Sequence, residues 1–313
     1  MIEYYGYEEI LLALEEPVEG EKCESQYDLL WKGVLESTFW HFMNFMFPDK
    51  TLEWDESCEV EFLDKELQQL LPGANGRKGV RNVDKLAKVI LENGMYHYFL
   101  IHIEVQSTKG DGGLAKRVFE YWYRLYDKYQ VPVTTIAILA DGTRSYRPNS
   151  YDISFMGTEA RFKFNSYKIL DQDESELREN PNPFAVVVLT ALLALKNRKA
   201  DDEELLSIKR DLYAQMIRRD MTVDCMRGVY DFLARYVHFD NQENMLKFEN
   251  QLKRDFGGDT TMGIAELLLE DVRQKAVEEK VLQIASNLLK MGLSLAVIAE
   301  ATGLHIEHLK ELK

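Results

Sequence analysis

The chain has 313 residues, 46% of them hydrophobic, and a formal charge of −15. That length and apolar content suit one large domain or two smaller ones and exclude a wholly disordered chain. The acidic balance excludes a surface that grips nucleic acid everywhere, because phosphate binding relies on Lys and Arg; a DNA-binding surface is expected as a local basic patch on an acidic body.

Three cysteines, Cys23, Cys58 and Cys225, stand far apart and are odd in number. They suit a reduced compartment better than a disulfide frame or a zinc site. No apolar run reaches the length of a membrane span, and the acidic, aromatic start lacks the basic region of a secretory signal. The expected location is the cytoplasm, with no membrane partner.

In chain order, residues 1–24 read as an acidic N-terminal arm. Leu29, Leu30, Val34, Phe39, Phe42, Met43 and Phe45 predict a helix over 26–47, ended by Pro48. Residues 59–63 alternate as a first strand, and 64–71 read as a short helix or turn. Residues 72–81 contain Gly73, Gly76 and Gly79 with Arg77, Lys78 and Arg81, and read as a basic loop. Phosphate contact and a plain solvated loop are balanced readings of it; a P-loop is excluded, since the Gly-Lys-Ser/Thr ending is missing.

Two β-rich runs then flank Asn93-Gly94, a hairpin signal. The first opens with Asp84; the second is almost continuously apolar and closes with Glu104, Val105 and Gln106. Side chains alternate on a strand, so Leu100, His102, Glu104 and Gln106 share one side. A carboxylate ending an apolar strand is costly to bury unless it is paired or bound to metal. Register decides whether Asp84 joins it. A two-residue loop sets Asp84 opposite Ile103, on the wrong face, whereas a three-residue loop over 93–95 pairs Glu92 with Tyr96 and sets Asp84 opposite Glu104. We expect the second arrangement, or an equivalent bulge.

A helix is predicted over 114–129, with Val118, Trp122, Leu125 and Tyr129 as its buried stripe and Arg117, Tyr121, Arg124 and Lys128 as a second stripe. Arg117 lies nearest the Glu104 end and is a candidate partner for phosphate or carboxylate; a structural ion pair is the equal alternative. Residues 131–140 form another apolar strand, reached by a crossover that predicts a parallel neighbour. Strand signals continue over 160–170. Pro181 and Pro183 precede a long apolar helix over 184–195. Further helices are expected over 202–218, 223–236, 242–256 and 262–280, with Thr222 and Thr261 near starts. The tail over 290–313 has a helix, a turn at Gly303 and another helix, as in part of a helix-turn-helix, but offers Glu307, His308, Lys310 and Glu311 where a DNA reader offers Arg, Lys, Asn or Gln. Docking or self-association is the favoured role for it.

Asp at the start of one strand and Glu-x-Gln at the end of the next resemble the PD-(D/E)XK nuclease superfamily, with Gln106 where that motif has lysine. The longer context resembles one branch, the recombination-promoting nuclease or transposase-like family. It is carried by Tyr27-Asp28 with Trp31-Lys32, Phe47-Pro48-Asp49, the run from Glu61 to Gln68, Val83-Asp84-Lys85, the run from Ile101 to Gln106, and Asn182-Pro183-Phe184-Ala185. The resemblance spans roughly residues 25–200.

It implies an α/β, restriction-endonuclease-like core, a mixed central sheet flanked by helices, over 25–170. An all-helical region over 171–280 and the helix-turn-helix-like tail over 281–313 follow. It implies a metal-dependent DNA endonuclease acting in recombination, in which Asp84, Glu104 and the Val105 carbonyl hold Mg²⁺ or Mn²⁺. Gln106 completes the catalytic set by orienting water or phosphate through hydrogen bonds. DNA contacts are expected from Arg77, Lys78, Arg81, Arg117 and Lys65. Lys65 is favoured over Lys85 for the charge the motif lysine supplies elsewhere, because alternation sends Lys85 to the face opposite Asp84. Glu36 is a weaker metal candidate, and His102 is expected as a packed histidine beside the site. The alternatives are a weak or inactive nuclease fold acting through protein partners, and a regulatory DNA binder using the tail. The helical C-terminal region is the expected surface for a protein partner or a second copy.

Overall fold

The computed structural model describes residues 22–49, 54–70, 83–91, 98–107 and 113–239, together with residues 244, 247, 248, 251, 252, 254, 285, 288, 289, 298, 299 and 302. Side chains are described at all of these except 22–26, 68–70, 83 and 84. The N-terminal arm to residue 21, the basic loop with Arg77, Lys78 and Arg81, the 92–97 connection and most of the tail lie outside them. The chain divides into two compact units, Met1–Met245 and Leu246–Lys313. The sequence boundaries near 24 and 170 fall inside the first unit, and that near 280 inside the second.

The first unit is α/β. Its helices begin with α1 (Lys22–Ser37) and α2 (Phe39–Met46). Then come β1 (Glu61–Phe62), α3 (Asp64–Leu70), β2 (Val83–Ile90), β3 (Tyr98–Gln106), α4 (Leu114–Tyr129) and β4 (Val133–Leu139). A hairpin of β5 (Ser150–Phe155) and β6 (Thr158–Lys163) precedes β7 (Asn165–Lys168) and a 3₁₀ turn, Ile169–Asp171. Helices α5 (Glu174–Glu179), α6 (Phe184–Lys196), α7 (Asp202–Ile217) and α8 (Val223–Tyr236) complete it.

The main sheet has five strands in the order β1-β2-β3-β4-β7. The β1/β2 and β2/β3 pairs are antiparallel, while β3/β4 and β4/β7 are parallel. The sheet is therefore mixed, and α4 is the crossover between parallel β3 and β4. From residue 99 onward every residue of β3 is buried, as expected of a central strand covered on both faces.

One face of the sheet lies under α4. Leu86 and Leu100 pack with Leu63, Leu67, Tyr121 and Leu125, and beside them Ala137 and Leu139 pack with Leu114, Val118 and Phe164. Tyr121 is thus core, where the sequence placed it on the second, polar stripe; Trp122 and Tyr129 are only partly buried. The helix turns Tyr121 inward because the sheet below offers Leu86 and Leu100, whereas Trp122 meets the hairpin through Phe162, ring centroids 5.1 Å apart.

Helices α1, α2 and α5–α8 are linked to one another by contacts, while α3 packs with α4. α1 lies against β2 and α8; Trp31 meets Phe232 at 4.8 Å and Tyr27 meets Tyr236 at 5.0 Å. α2 reaches α6 through Phe42 and Phe184, 5.1 Å apart. α6 is buried on all sides through its first ten residues, which explains its lack of a polar face. Asn182 starts it: its Oδ1 accepts the Phe184 N–H at 2.8 Å while its Nδ2 donates to the His41 carbonyl at 2.9 Å. Asp201 and Thr222 cap α7 and α8.

Two features depart from the sequence pattern. The first helix is interrupted at Thr38, where Ser37 and Thr38 hydroxyls both donate to the Val34 carbonyl, at 3.2 and 2.5 Å. Such back-bonding competes with the helical ladder and bends it. The strand signals over 160–170 divide between β6 and β7, and β5, the other strand of the hairpin, lies outside them. β5 is largely exposed, so no apolar alternation marks it, and the turn uses Met156 (φ 49°) with Gly157 (φ 84°), not Asn-Gly.

In the second unit, buried Ala285 and Ile298 pack with Leu288, Leu289 and Ala299. Among the described residues, no helix is long and apolar enough to cross a membrane.

Candidate functional site

The hairpin register sets Asp84 directly opposite Glu104, with Val83 opposite Val105 and Ile90 opposite Tyr98. This is the offset that a three-residue connection over 93–95 produces. In the parallel direction, Glu104 lies beside Ala137 and Gln106 beside Leu139. Positions 84, 104 and 106 therefore share the α4 face, at the carboxyl end of β3, where open α/β sheets hold ligands.

Glu104 is fully buried, and Gln106 and His102 nearly so. An ionised carboxylate at such depth costs several kcal/mol unless a cation and hydrogen bonds compensate it. The compensation comes from α4. Arg117 donates to Glu104 Oε1 twice, from Nε at 3.0 Å and from Nη2 at 2.5 Å, and Nη2 also donates to Gln106 Oε1 at 3.3 Å. Arg117 is the fourth residue of α4, one turn below its start, which brings the guanidinium over the end of β3. The sequence left open a phosphate or carboxylate contact and a structural ion pair; an ion pair with Glu104 is the contact seen.

The second oxygen, Glu104 Oε2, is buried and has no hydrogen-bond partner among the described residues. His102 Nε2 stands 3.9 Å from it, beyond hydrogen-bond range, and the imidazole packs on Tyr121 with centroids 4.9 Å apart. That packing matches the expected histidine beside the site.

Lys85 lies across the sheet. It is fully buried, donates to Asp64 Oδ2 at 2.7 Å and to Glu36 Oε1, and sits 4.4 Å from the Phe62 ring centre. Asp64 Oδ1 in turn accepts the Leu86 N–H at 3.1 Å. Glu36 is thus committed to Lys85 on the face away from Glu104, which corrects its candidacy as a metal ligand. Lys65 is exposed on α3, and no bond joins it to Glu104 or Gln106. Val105 is buried between Val83 and Ile138, its side chain on the far face from Glu104.

The sequence reading missed a second buried ion pair at this end of the sheet. Lys168 Nζ donates to Asp141 Oδ2 at 2.6 Å and to the Asp141 carbonyl at 3.0 Å; Asp141 Oδ1 accepts the Thr143 N–H at 2.7 Å. Lys168 occupies the same cross-strand row as Gln106 and Leu139, two strands from Gln106, roughly 10 Å by normal strand spacing. It is a lysine on the right face, yet wholly engaged by Asp141. The signal available in the sequence was Asp141, a carboxylate directly after the apolar run over 131–140.

Among the described residues, no three His, Cys, Asp or Glu side chains cluster as a metal site, and the Asp84 side chain lies outside those residues. The donors at the end of β3 are oxygens, the kind a hard divalent cation takes. One Glu104 oxygen is buried without a hydrogen-bond partner among the described residues, Gln106 brings an amide oxygen to the same face, and Asp84 stands across the register. The class defined this far is an α/β protein with a mixed five-stranded sheet flanked by helices. Compared with known proteins, the chain finds no counterpart: no family model, no curated protein and no solved structure matches it.

Proposed function

We propose that this chain is a PD-(D/E)XK-type, metal-dependent DNA endonuclease of the recombination-promoting kind. The observation that carries the reading is the pairing of Asp84 with Glu104 at the end of β3, with Glu104 Oε2 buried and without a hydrogen-bond partner among the described residues. The order helix, strand, antiparallel hairpin, crossover helix, parallel strand supports it, as does the position of Gln106 two residues past Glu104.

In this reading Asp84, Glu104 and the Val105 carbonyl hold Mg²⁺ or Mn²⁺, which when bound supplies an activated water and offsets phosphate charge. Glu104 keeps a fixed oxygen at the site because β3 is central and covered. Gln106 aligns water or a phosphate oxygen by hydrogen bonds and moves no proton. Positive charge comes from Arg117 and from the Arg77, Lys78 and Arg81 loop. The protein works in the cytoplasm, on DNA, with its helical C-terminal region serving a partner or a second copy.

The test is plasmid cleavage by purified protein with and without Mg²⁺, beside Glu104→Gln. Mg²⁺-dependent cleavage lost in the variant supports the reading, and metal-independent or variant-insensitive cleavage overturns it. One observation favours a second reading, a weak or inactive nuclease fold acting through protein partners. The residue after Val105 is a neutral glutamine, and Arg117 occupies the carboxylate beside it. That reading predicts no cleavage and a protein partner that co-purifies with the folded chain.

A further inference from the structure

We propose that Arg117 is an exchangeable counter-ion: the guanidinium and a divalent cation compete for Glu104, and Arg117, once displaced, turns to a phosphate of the bound DNA. The inference rests on the nuclease reading for the identity of the competing cation and of the phosphate.

Three observations carry it. Both Arg117–Glu104 hydrogen bonds go to Oε1, and Oε2 receives none from the described residues. An arginine that satisfied this carboxylate fully would give one N–H to each oxygen in the paired fork geometry. The pair therefore leaves a lone-pair site open on a buried anion, the condition under which another cation is drawn in. Next, the two partners differ in freedom. Glu104 is fixed on a central strand with no exposed side-chain surface, while the Arg117 side chain is 22% exposed. Displacement moves Arg117 and leaves Glu104 in place. Finally, Arg117 Nη2 bridges Glu104 and Gln106. Arg has no acceptor, so the Gln106 atom it touches is the carbonyl oxygen. Release of Arg117 frees two oxygens of the site together, one carboxylate and one amide.

A guanidinium and a divalent ion on one buried carboxylate repel each other, so the two states exclude one another. The planar guanidinium fork matches phosphate as well as carboxylate, which gives the displaced group a strong new partner when DNA is present. Metal and DNA then bind cooperatively through one side chain.

The experiment measures Mn²⁺ binding by electron paramagnetic resonance to the full-length wild type, Arg117→Gln and Arg117→Gln/Glu104→Gln, without DNA. With the competitor removed, the single variant binds Mn²⁺ about tenfold or more tightly than wild type, and the double variant loses that site. A phosphorothioate duplex that resists cleavage raises the affinity of wild type and leaves the single variant unchanged. Equal or weaker binding by Arg117→Gln, with that binding lost in the double variant, overturns this inference and spares the nuclease reading. Failure of all three proteins to bind Mn²⁺ overturns both. Should Arg117→Gln be unfolded without metal, refolding on Mn²⁺ addition, followed by circular dichroism, supports the exchange. A variant that stays unfolded at saturating Mn²⁺ overturns it.

Discussion

Asp84 and Glu104 stand as direct cross-strand partners, one opening β2 and the other closing β3. A slip of one residue moves Asp84 to the opposite face, so the register carries the site. Asp84→Asn keeps shape and removes charge. We expect it to weaken Mn²⁺ binding by about 100-fold or more, at or beyond the upper end of what loss of an outer-shell partner costs. Calorimetric titration checks this, and wild-type affinity in the variant counts against Asp84 as a ligand.

Lys85 serves stability and not chemistry. Lys85→Met strands Asp64 beneath the edge of the sheet and lowers unfolding free energy by about 3 kcal/mol, as other broken buried pairs do. Glu36 is half exposed and rehydrates, which keeps the loss near the lower end. Urea unfolding reads the loss. Mn²⁺ affinity of the folded variant should match wild type, since Lys85 faces away from Glu104; a large drop would return Lys85 to the site.

Gly228 sits where α8 crosses α1. A Cβ built there falls 1.7 Å from Ser37 Oγ and 2.5 Å from Ser37 Cβ. Alanine gains about 1 kcal/mol of helix propensity, while forced overpacking costs about 1–3 kcal/mol. The clash includes the short, stiff Cβ, so Gly228→Ala should be net destabilising. Adding Ser37→Gly should recover part of the loss, with a coupling energy of about 1 kcal/mol in a double-mutant cycle. Strict additivity would place the helix contact elsewhere.

Lys209 gives stability a pH dependence. Its amine donates to the Ala234 carbonyl at 2.7 Å and lies 3.9 Å from the Phe239 ring centre. Burial pushes it down from 10.5 to about 7, against an upward pull from Asp202. Between about pH 7 and 10.5 the unfolded chain binds the proton and the folded chain does not, so this residue makes stability rise with pH in that window. Below about pH 7 both states hold the proton and the contribution is flat and unfavourable. The stability difference between wild type and Lys209→Met should therefore climb by up to about 1.4 kcal/mol per pH unit across the window. Urea midpoints at pH 6, 8 and 10 check it, and a pH-independent difference discounts the buried amine.

The parts legible in sequence were those fixed by local chemistry. Asn93-Gly94 and the apolar run ending at Glu104 marked the hairpin and left two registers, of which the one that faces Asp84 toward Glu104 is found. The crossover gave parallel β3 and β4, and Thr222 marked the start of α8. The parts that were not legible depend on what lies across space. Tyr121 is buried because Leu86 and Leu100 lie beneath it. The helix breaks at Thr38 because two neighbouring hydroxyls reach one carbonyl. Asp141 meets Lys168 only because β7 returns beside β4. Alternation sent Lys85 to the far face, but no spacing rule announces Asp64 and Glu36 as its partners.

The sheet ends in stubs: β1 has two residues and β7 four. The Asp64 carboxylate also takes the Leu86 N–H where β2 would otherwise run past β1. A foreign strand arriving at that border meets a donor already taken by Asp64, and little length on which to zip. Crowded copies of this protein thereby find little purchase for fibrillar growth through the main sheet.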